Sequence, residues 1–192
     1  MSRKPFKIPS VLTESEVKEF LAVFNKRYIS SHKNYMMCKL SLETGMRVSE
    51  VVSLKIQDID RNSGKLHIIQ GKGSKDRILY LNQNLLEELL KFLEREGKGN
   101  TGLVFTTNSQ KPMDKNNITR MVKTYIGKTS IIKKVTFHTL RHTYATQTLK
   151  SGVNIRVLQK ILGHSSIQTT QVYTHIFDGD IEKAMRQAPY SD

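Results

Sequence analysis

Apolar residues recur along this chain at two spacings, and the switch between them outlines its elements. Thr13-x-x-Glu16 has the pattern of a capping box, and Val17, Phe20, Leu21 and Phe24 follow at helical spacing. A second helix is predicted from about Asn34 to Thr44, stopped by Gly45, and a short third through Val48–Leu54. The pattern then shortens. Ile56–Ile59, Lys65–Gln70 and Arg77–Leu81 are predicted as three short strands, joined at Asn62-Ser63-Gly64 and at Gly71–Asp76. Helical spacing returns with Leu85, Leu86, Leu89, Leu90 and Leu93, and Gly97 closes that face. A short apolar stretch, Leu103–Phe105, sits between loops. Asp114 can cap a further helix that turns Ile118, Met121, Val122 and Tyr125 inward. Beyond it the pattern predicts His138–Ser151 ending at Gly152, Asn154–Leu162 ending at Gly163, and a last run from about Ser166 into Tyr173.

Together these elements predict a mostly helical α+β domain with a small antiparallel three-stranded sheet. Short loops and the lack of any internal repeat argue against a second domain, and 192 residues are enough for a proper core. No apolar run approaches the ~20 residues a membrane helix needs, and the basic amino terminus lacks the apolar stretch of a secretion signal. The one cysteine, Cys38, excludes an internal disulfide framework. The expectation is a soluble intracellular protein.

Charge sharpens the picture. The net charge of +14 points to nucleic acid, or less often to an anionic membrane surface. From Lys115 to Phe177 there are ten Lys or Arg and no Asp or Glu, although the chain holds 17 acids elsewhere. Four of the six histidines fall in the same stretch. Acids would repel a polyanion and pair off arginines meant for it. The segment therefore reads as a surface for handling phosphodiesters, with a plain basic solvated face as the competing reading.

Chemistry on a phosphodiester needs positive charge on the nonbridging oxygens, and the planar fork of Arg binds two at once. It needs a nucleophile, for which a tyrosine hydroxyl serves once a neighbour removes its proton. It also needs an acid for the leaving 5′ oxygen, for which histidine or lysine is suited. No metal is required where two arginines and a lysine already supply the charge. On a helix, His138, Arg141 and His142 share one side. For His142 the preferred reading is a satisfied core histidine beside Tyr144. A zinc reading of His138 and His142 is poor, because no glutamate, cysteine or nearby acid completes a site. Gly71-Lys72-Gly73-Ser74-Lys75-Asp76-Arg77 is not the nucleotide-binding loop, whose glycines have four residues between them. It reads as a hairpin tip presenting Lys72, and spacing alone leaves a plain flexible hairpin equally open. Among seven tyrosines, Tyr173 stands out only by lying in the acid-free segment close to His164.

Taken in order, five boxes resemble the tyrosine recombinases, also called phage-type integrases, and most closely the Xer-type. They are Thr44-Gly45-Met46-Arg47-Val48-Ser49-Glu50, Gly71-Lys72-Gly73, His138-Thr139-Leu140-Arg141-His142, Leu162-Gly163-His164 and Tyr173-Thr174-His175. The resemblance runs from about Leu12 to Ile176. It implies that Arg47 and Arg141 clamp the scissile phosphate, Lys72 protonates the departing 5′ oxygen, and His138 assists as general base or phosphate ligand. His164 would hydrogen-bond the phosphate, and Tyr173 would attack to leave a 3′-phosphotyrosyl link. Glu50 would orient the site without touching DNA, while Lys75 and Arg77 of the hairpin would contact DNA. The implied partners are double-stranded DNA and identical protomers, four on two paired sites, with no cofactor, no metal and no membrane. The implied setting is the cytoplasm of a prokaryotic cell or its mobile element.

The expected organisation is a basic arm over 1–11, a catalytic domain over 12–177 and a tail over 178–192. Asp178–Pro189, net acidic, would pack on a neighbouring protomer. Family members carry an amino-terminal core-binding domain that this chain is expected to lack. It would be a natural single-domain recombinase or an excised catalytic fragment. Two other functions compete: a type IB topoisomerase-like enzyme, and a non-catalytic DNA-binding regulator whose last helices act as a helix-turn-helix.

Overall fold

The computed structural model of the chain describes residues 9–69, 76–171 and 173. Thr13 begins α1 (Glu14–Ala22) with the predicted capping box. Its hydroxyl accepts from the Glu16 amide at 3.2 Å, and a Glu16 carboxylate oxygen accepts from the Thr13 amide at 2.7 Å. Two orphan amides are thereby satisfied, and Phe20 is delivered into the core, edge-on to Phe24 at 5.3 Å.

α2 (Ile29–Thr44) begins five residues earlier than the sequence pattern suggests. It is the central helix, and Met36, Met37, Cys38 and Leu40 are wholly buried. A helix covered on nearly every side has no polar stripe to mark it. Its first turns carry Ser31, His32 and Lys33, all buried. Lys33 is tolerated there because its ammonium donates to the Thr106 carbonyl at 2.9 Å and pairs with Glu96 at 3.4 Å. Gly45 ends the helix in the left-handed region, φ 70°, where a Cβ would sit 2.6 Å from Cδ1 of Tyr144. The chain then turns into α3 (Val48–Ser53).

The first of the three expected strands is absent. Ile56–Asp58 forms a single 3₁₀ turn instead. A carboxylate oxygen of Asp58 accepts from the Lys55 amide at 3.2 Å, while the Asp58 and Ile59 amides bond the carbonyls of Lys55 and Ile56. These local bonds use the backbone groups that a strand ladder would need. One isolated bridge, Ile59 to Leu66, remains. The sheet among the described residues is therefore two-stranded, with β1 (Lys65–Ile68) antiparallel to β2 (Arg77–Tyr80). Leu66 lies opposite Leu79 facing the core, and His67 lies opposite Ile78 facing out. That register sets Arg77 on the inward face with Leu79.

α4 (Gln83–Arg95), capped by the Asn82 side chain, buries Leu85, Leu86, Leu89 and Leu93 as its spacing predicts. α5 (Lys115–Ile126) starts at Asp114, whose carboxylate accepts from the Asn116 and Asn117 amides. α6 (Phe137–Lys150) lies against α2 and contributes buried Phe137 and Leu140 to the main core. α7 (Ile155–Leu162) and the short α8 (Gln168–Gln171) complete the described elements. Beside the main core, Ala145, Leu149, Leu158, Leu162 and Tyr173 form a second, smaller cluster between α6 and α7. The protein is thus a mostly helical α+β fold with a small antiparallel sheet. Among the described residues no helix is long and apolar enough to cross a membrane.

Candidate active site

A helix leaves its last carbonyls without intrahelical partners and carries partial negative charge there. At the end of α7, three successive carbonyls are each taken by a different arginine. Arg77 Nε donates to Ile161 O at 2.6 Å, Arg141 Nη2 to Leu162 O at 2.7 Å, and Arg47 Nη2 to Gly163 O at 3.1 Å. The three come from β2, from α6 and from the turn before α3. A second glycine-ended helix contributes in the same way, since Arg141 Nη1 donates to the carbonyl of Gly45 behind α2. Gly45 and Gly163, each left-handed, therefore both end a helix and lend an arginine a carbonyl.

Glu50, on the first turn of α3, ties two of these arginines together. Its carboxylate accepts from the Arg47 amide at 2.7 Å and from Arg47 Nη1 at 2.9 Å. It also accepts Arg77 Nη1 at 2.8 Å and Nη2 at 2.9 Å, a two-pronged pair in which the side chains are 6% and 8% exposed. Burial alone would raise the Glu50 pKa, but the bonds and charges of Arg77 and Arg47 hold it below the ordinary range. The pKa of Arg141 is lowered to about 10, mainly by burial and then by Arg47, so it stays charged at neutral pH. Three guanidinium groups against one carboxylate leave a formal +2, a charge suited to the negative charge that builds on a phosphate under attack.

His164 lies next to this cluster. Arginine only donates, so His164 Nε2 accepts from Arg141 Nη2 at 2.9 Å, and Nδ1 carries the proton toward Thr170 Oγ1 at 3.0 Å. Burial, followed by Arg141, Arg47, Arg77 and His142, lowers its pKa to about 4. The imidazole is neutral, with both nitrogens engaged. To donate to a phosphate, as the motif implies, it has to exchange the bond from Arg141.

Tyr173 follows Thr170 closely, its amide bonding the Thr170 carbonyl at 3.1 Å. Its ring is 1% exposed within the smaller apolar cluster, and burial pushes the hydroxyl up to about 12, opposed by Arg141. The hydroxyl lies 2.6 Å from Nδ1 of His142. His142 is half-buried, and burial, His138 and Arg141 lower its pKa to about 4. The His138 ring stands perpendicular to that of His142 with centroids 5.4 Å apart. Its own pKa is lowered by partial burial and by Arg141 and Arg47.

Of the residues singled out in the sequence, Arg47, Arg141, His164 and Glu50 are brought together, and Tyr173 and His138 lie alongside through His142. Lys72 and Lys75 fall outside the described residues. Arg77 corrects an expectation: it does not face outward toward DNA but turns in to grip Glu50 and the end of α7. The strand alternation held the signal, because Arg77 shares its parity with buried Leu79. His142, expected as a core histidine beside Tyr144, has the Tyr173 hydroxyl as its partner instead. Nothing in the sequence spacing announces that pairing across 31 residues. Among the described residues, no group of three or more His, Cys, Asp or Glu could hold a metal ion.

The chain belongs to the phage integrase family, whose signature its residues 10–179 match. Within that family it is similar to the tyrosine recombinase XerD of Staphylococcus saprophyticus, 36% identical over 182 residues that cover 92% of this chain and 61% of the relative. It therefore spans about three-fifths of that relative's length. The crystal structure of XerA recombinase superposes with a TM-score of 0.81 at 34% identity, over 97% of this chain and 66% of the other. XerH recombinase, solved bound to its palindromic difH substrate in a post-cleavage complex, superposes at 0.74 with 27% identity, over 93% of this chain and 53% of the other.

Proposed function

We propose that this chain carries the catalytic machinery of a site-specific DNA recombinase, cutting and rejoining strands through a 3′-phosphotyrosyl link without metal or ATP. One observation carries the reading. Arginines from three distant segments meet at the end of α7 with a net positive charge, and a buried tyrosine hydroxyl lies beside them. In the family to which the chain belongs, XerH is known bound to its DNA substrate after cleavage.

In this reading Arg47 and Arg141 take the nonbridging oxygens of the scissile phosphate, and Glu50 and Arg77 hold Arg47 at the right angle. Tyr173 Oη attacks phosphorus while the 5′ oxygen leaves with a proton from Lys72. His138 assists at the phosphate, and His164 donates to it. Lys75 of the same hairpin contacts the duplex. The phosphotyrosyl bond conserves the energy of the broken one, so a 5′ hydroxyl can reverse the step. Four protomers on two paired duplexes exchange strands, with the tail beyond residue 178 packed on a neighbour, in the cytoplasm of a prokaryotic cell.

A nicked suicide DNA substrate, which traps the covalent step, tests this directly. The unmodified protein should form a protease-sensitive protein–DNA adduct in the presence of EDTA, and Tyr173→Phe should form none. An adduct that persists in Tyr173→Phe, or one that needs Mg²⁺, overturns the assignment.

A further inference from the structure

When a tyrosine hydroxyl attacks phosphorus its proton must go somewhere, and among the described residues few groups near Tyr173 are able to receive it. Arg47, Arg77 and Arg141 only donate. Glu50 is already tied to Arg47 and Arg77 by four bonds. The lone pair of His164 is committed to Arg141 and its other nitrogen faces Thr170. The His138 ring lies next to that of His142. His142 Nδ1 is in contact with the hydroxyl, at 2.6 Å. That distance is shorter than the roughly 2.9 Å usual when an N–H donates to oxygen, and fits a phenol donating to an imidazole lone pair.

We propose that His142 is a catalytic residue, holding the Tyr173 hydroxyl through Nδ1 and accepting its proton as the Oη–P bond forms. The inference rests on the recombinase reading and deepens it, because it names the base, a role the reading leaves open by allowing His138 to act as general base or as phosphate ligand. His142 starts as the Nε2–H tautomer. As Oη bonds to phosphorus, the O–H bond breaks and its proton passes to Nδ1, leaving an imidazolium. The P–O5′ bond breaks, and O5′ leaves with the proton supplied by the general acid of that reading. On rejoining, the imidazolium returns its proton to Oη as the phosphotyrosyl bond breaks.

The surroundings suit this cycle. Among the described residues, the groups facing His142 are His138 and Arg141 on its own helix, His164 beyond α7, and Tyr173. The two cationic or potentially cationic neighbours on α6, together with burial, keep the resting imidazole neutral, so its lone pair is free at physiological pH. The hydroxyl is correspondingly hard to ionise in the resting protein, so the proton leaves only as the new bond forms. A buried nucleophile that stays protonated until its phosphate arrives is protected from idle reaction.

The test compares the full chain with His142→Gln on the nicked suicide substrate between pH 5 and 9. Glutamine can still accept the hydroxyl's hydrogen bond but cannot carry its proton. Adduct formation should slow by about 10²-fold or more at pH 7, within the range for a lost general base, while melting temperature and DNA affinity stay at wild-type values. The residual rate should climb with pH, because hydroxide then has to take the proton. A ring-fluorinated tyrosine placed at position 173 of the His142→Gln protein has a more acidic hydroxyl and should recover part of the rate at neutral pH. Wild-type speed in His142→Gln overturns the proposal, as does a slow variant that neither responds to pH nor recovers with the fluorinated residue. If the unmodified protein itself forms no Tyr173 adduct, the recombinase reading fails first, so the two failures are distinguishable.

Discussion

Glu50→Gln is the substitution whose consequence the geometry states most sharply. It removes the carboxylate that accepts four N–H bonds from Arg47 and Arg77 and replaces one acceptor oxygen with an amide NH₂. With Glu50 and Arg77 side chains only 6% and 8% exposed, water cannot take over the lost role. Removing one partner of such a buried pair costs about 3–5 kcal/mol, because a charge is left uncompensated. In a domain of this size each kcal/mol lowers the melting temperature by about 2–4 °C, so the drop should be roughly 6–20 °C. Far-UV circular dichroism melts at pH 7 measure it. The double variant Glu50→Gln with Arg77→Met should recover part of the loss, since neither buried charge then lacks its partner. Acid supplies a second readout. The native carboxyl is held below its ordinary value, so its stabilisation is complete above about pH 4.5 and disappears as pH falls through the lower folded value. The gap between wild type and variant should therefore close under strong acid. A melt within about 2 °C of wild type at pH 7, or a gap unchanged at pH 3, refutes the buried clamp.

Two other substitutions separate stability from chemistry. Gly45→Ala forces a side chain into φ 70° and brings its Cβ within 2.6 Å of Tyr144 and 2.8 Å of Leu162. It should lower the urea midpoint by an amount equivalent to at least ~2 kcal/mol, more than Gly163→Ala, whose nearest neighbour is the end of the Arg77 side chain at 3.0 Å. Equal losses would contradict the packing around Gly45. Arg47→Ala should slow adduct formation by about 10²-fold or more while leaving most DNA affinity intact, because the net +14 supplies the general attraction. A parallel fall in binding and cleavage would show that Arg47 acts mainly as a DNA anchor.

What the sequence could reveal was set by how local each cause is. The capping box at Thr13, the Asp114 cap, the stops at Gly45 and Gly163 and the leucine face of α4 are decided within a few residues, and they were legible. The start of α2 was not, because a helix buried on nearly all sides shows no periodicity and its buried Lys33 finds its partners at Glu96 and Thr106. The missing strand at Ile56–Asp58 reflects an Asp58 side chain capturing the Lys55 amide, a choice that apolar spacing does not register. Within the site, motif order singled out Arg47, Arg141, His164 and Tyr173, while the acid-free segment pointed only to an anionic partner. The carbonyls that hold the arginines, and the hydroxyl that meets His142, depend on tertiary approach. Backbone groups carry no mark in a sequence, so that half of the architecture was invisible.

The last turn of α7 serves as a common anchor for side chains drawn from as far as 116 residues away in the chain. Helix ends open more readily than whole domains, and fraying of this one would let three guanidinium groups drift apart together. On the proposed recombinase reading, such a molecule would keep its basic exterior while lacking the means to handle a phosphate. On that reading, a chain caught partway through folding would be a harmless passenger on the duplex rather than an unguarded cutter.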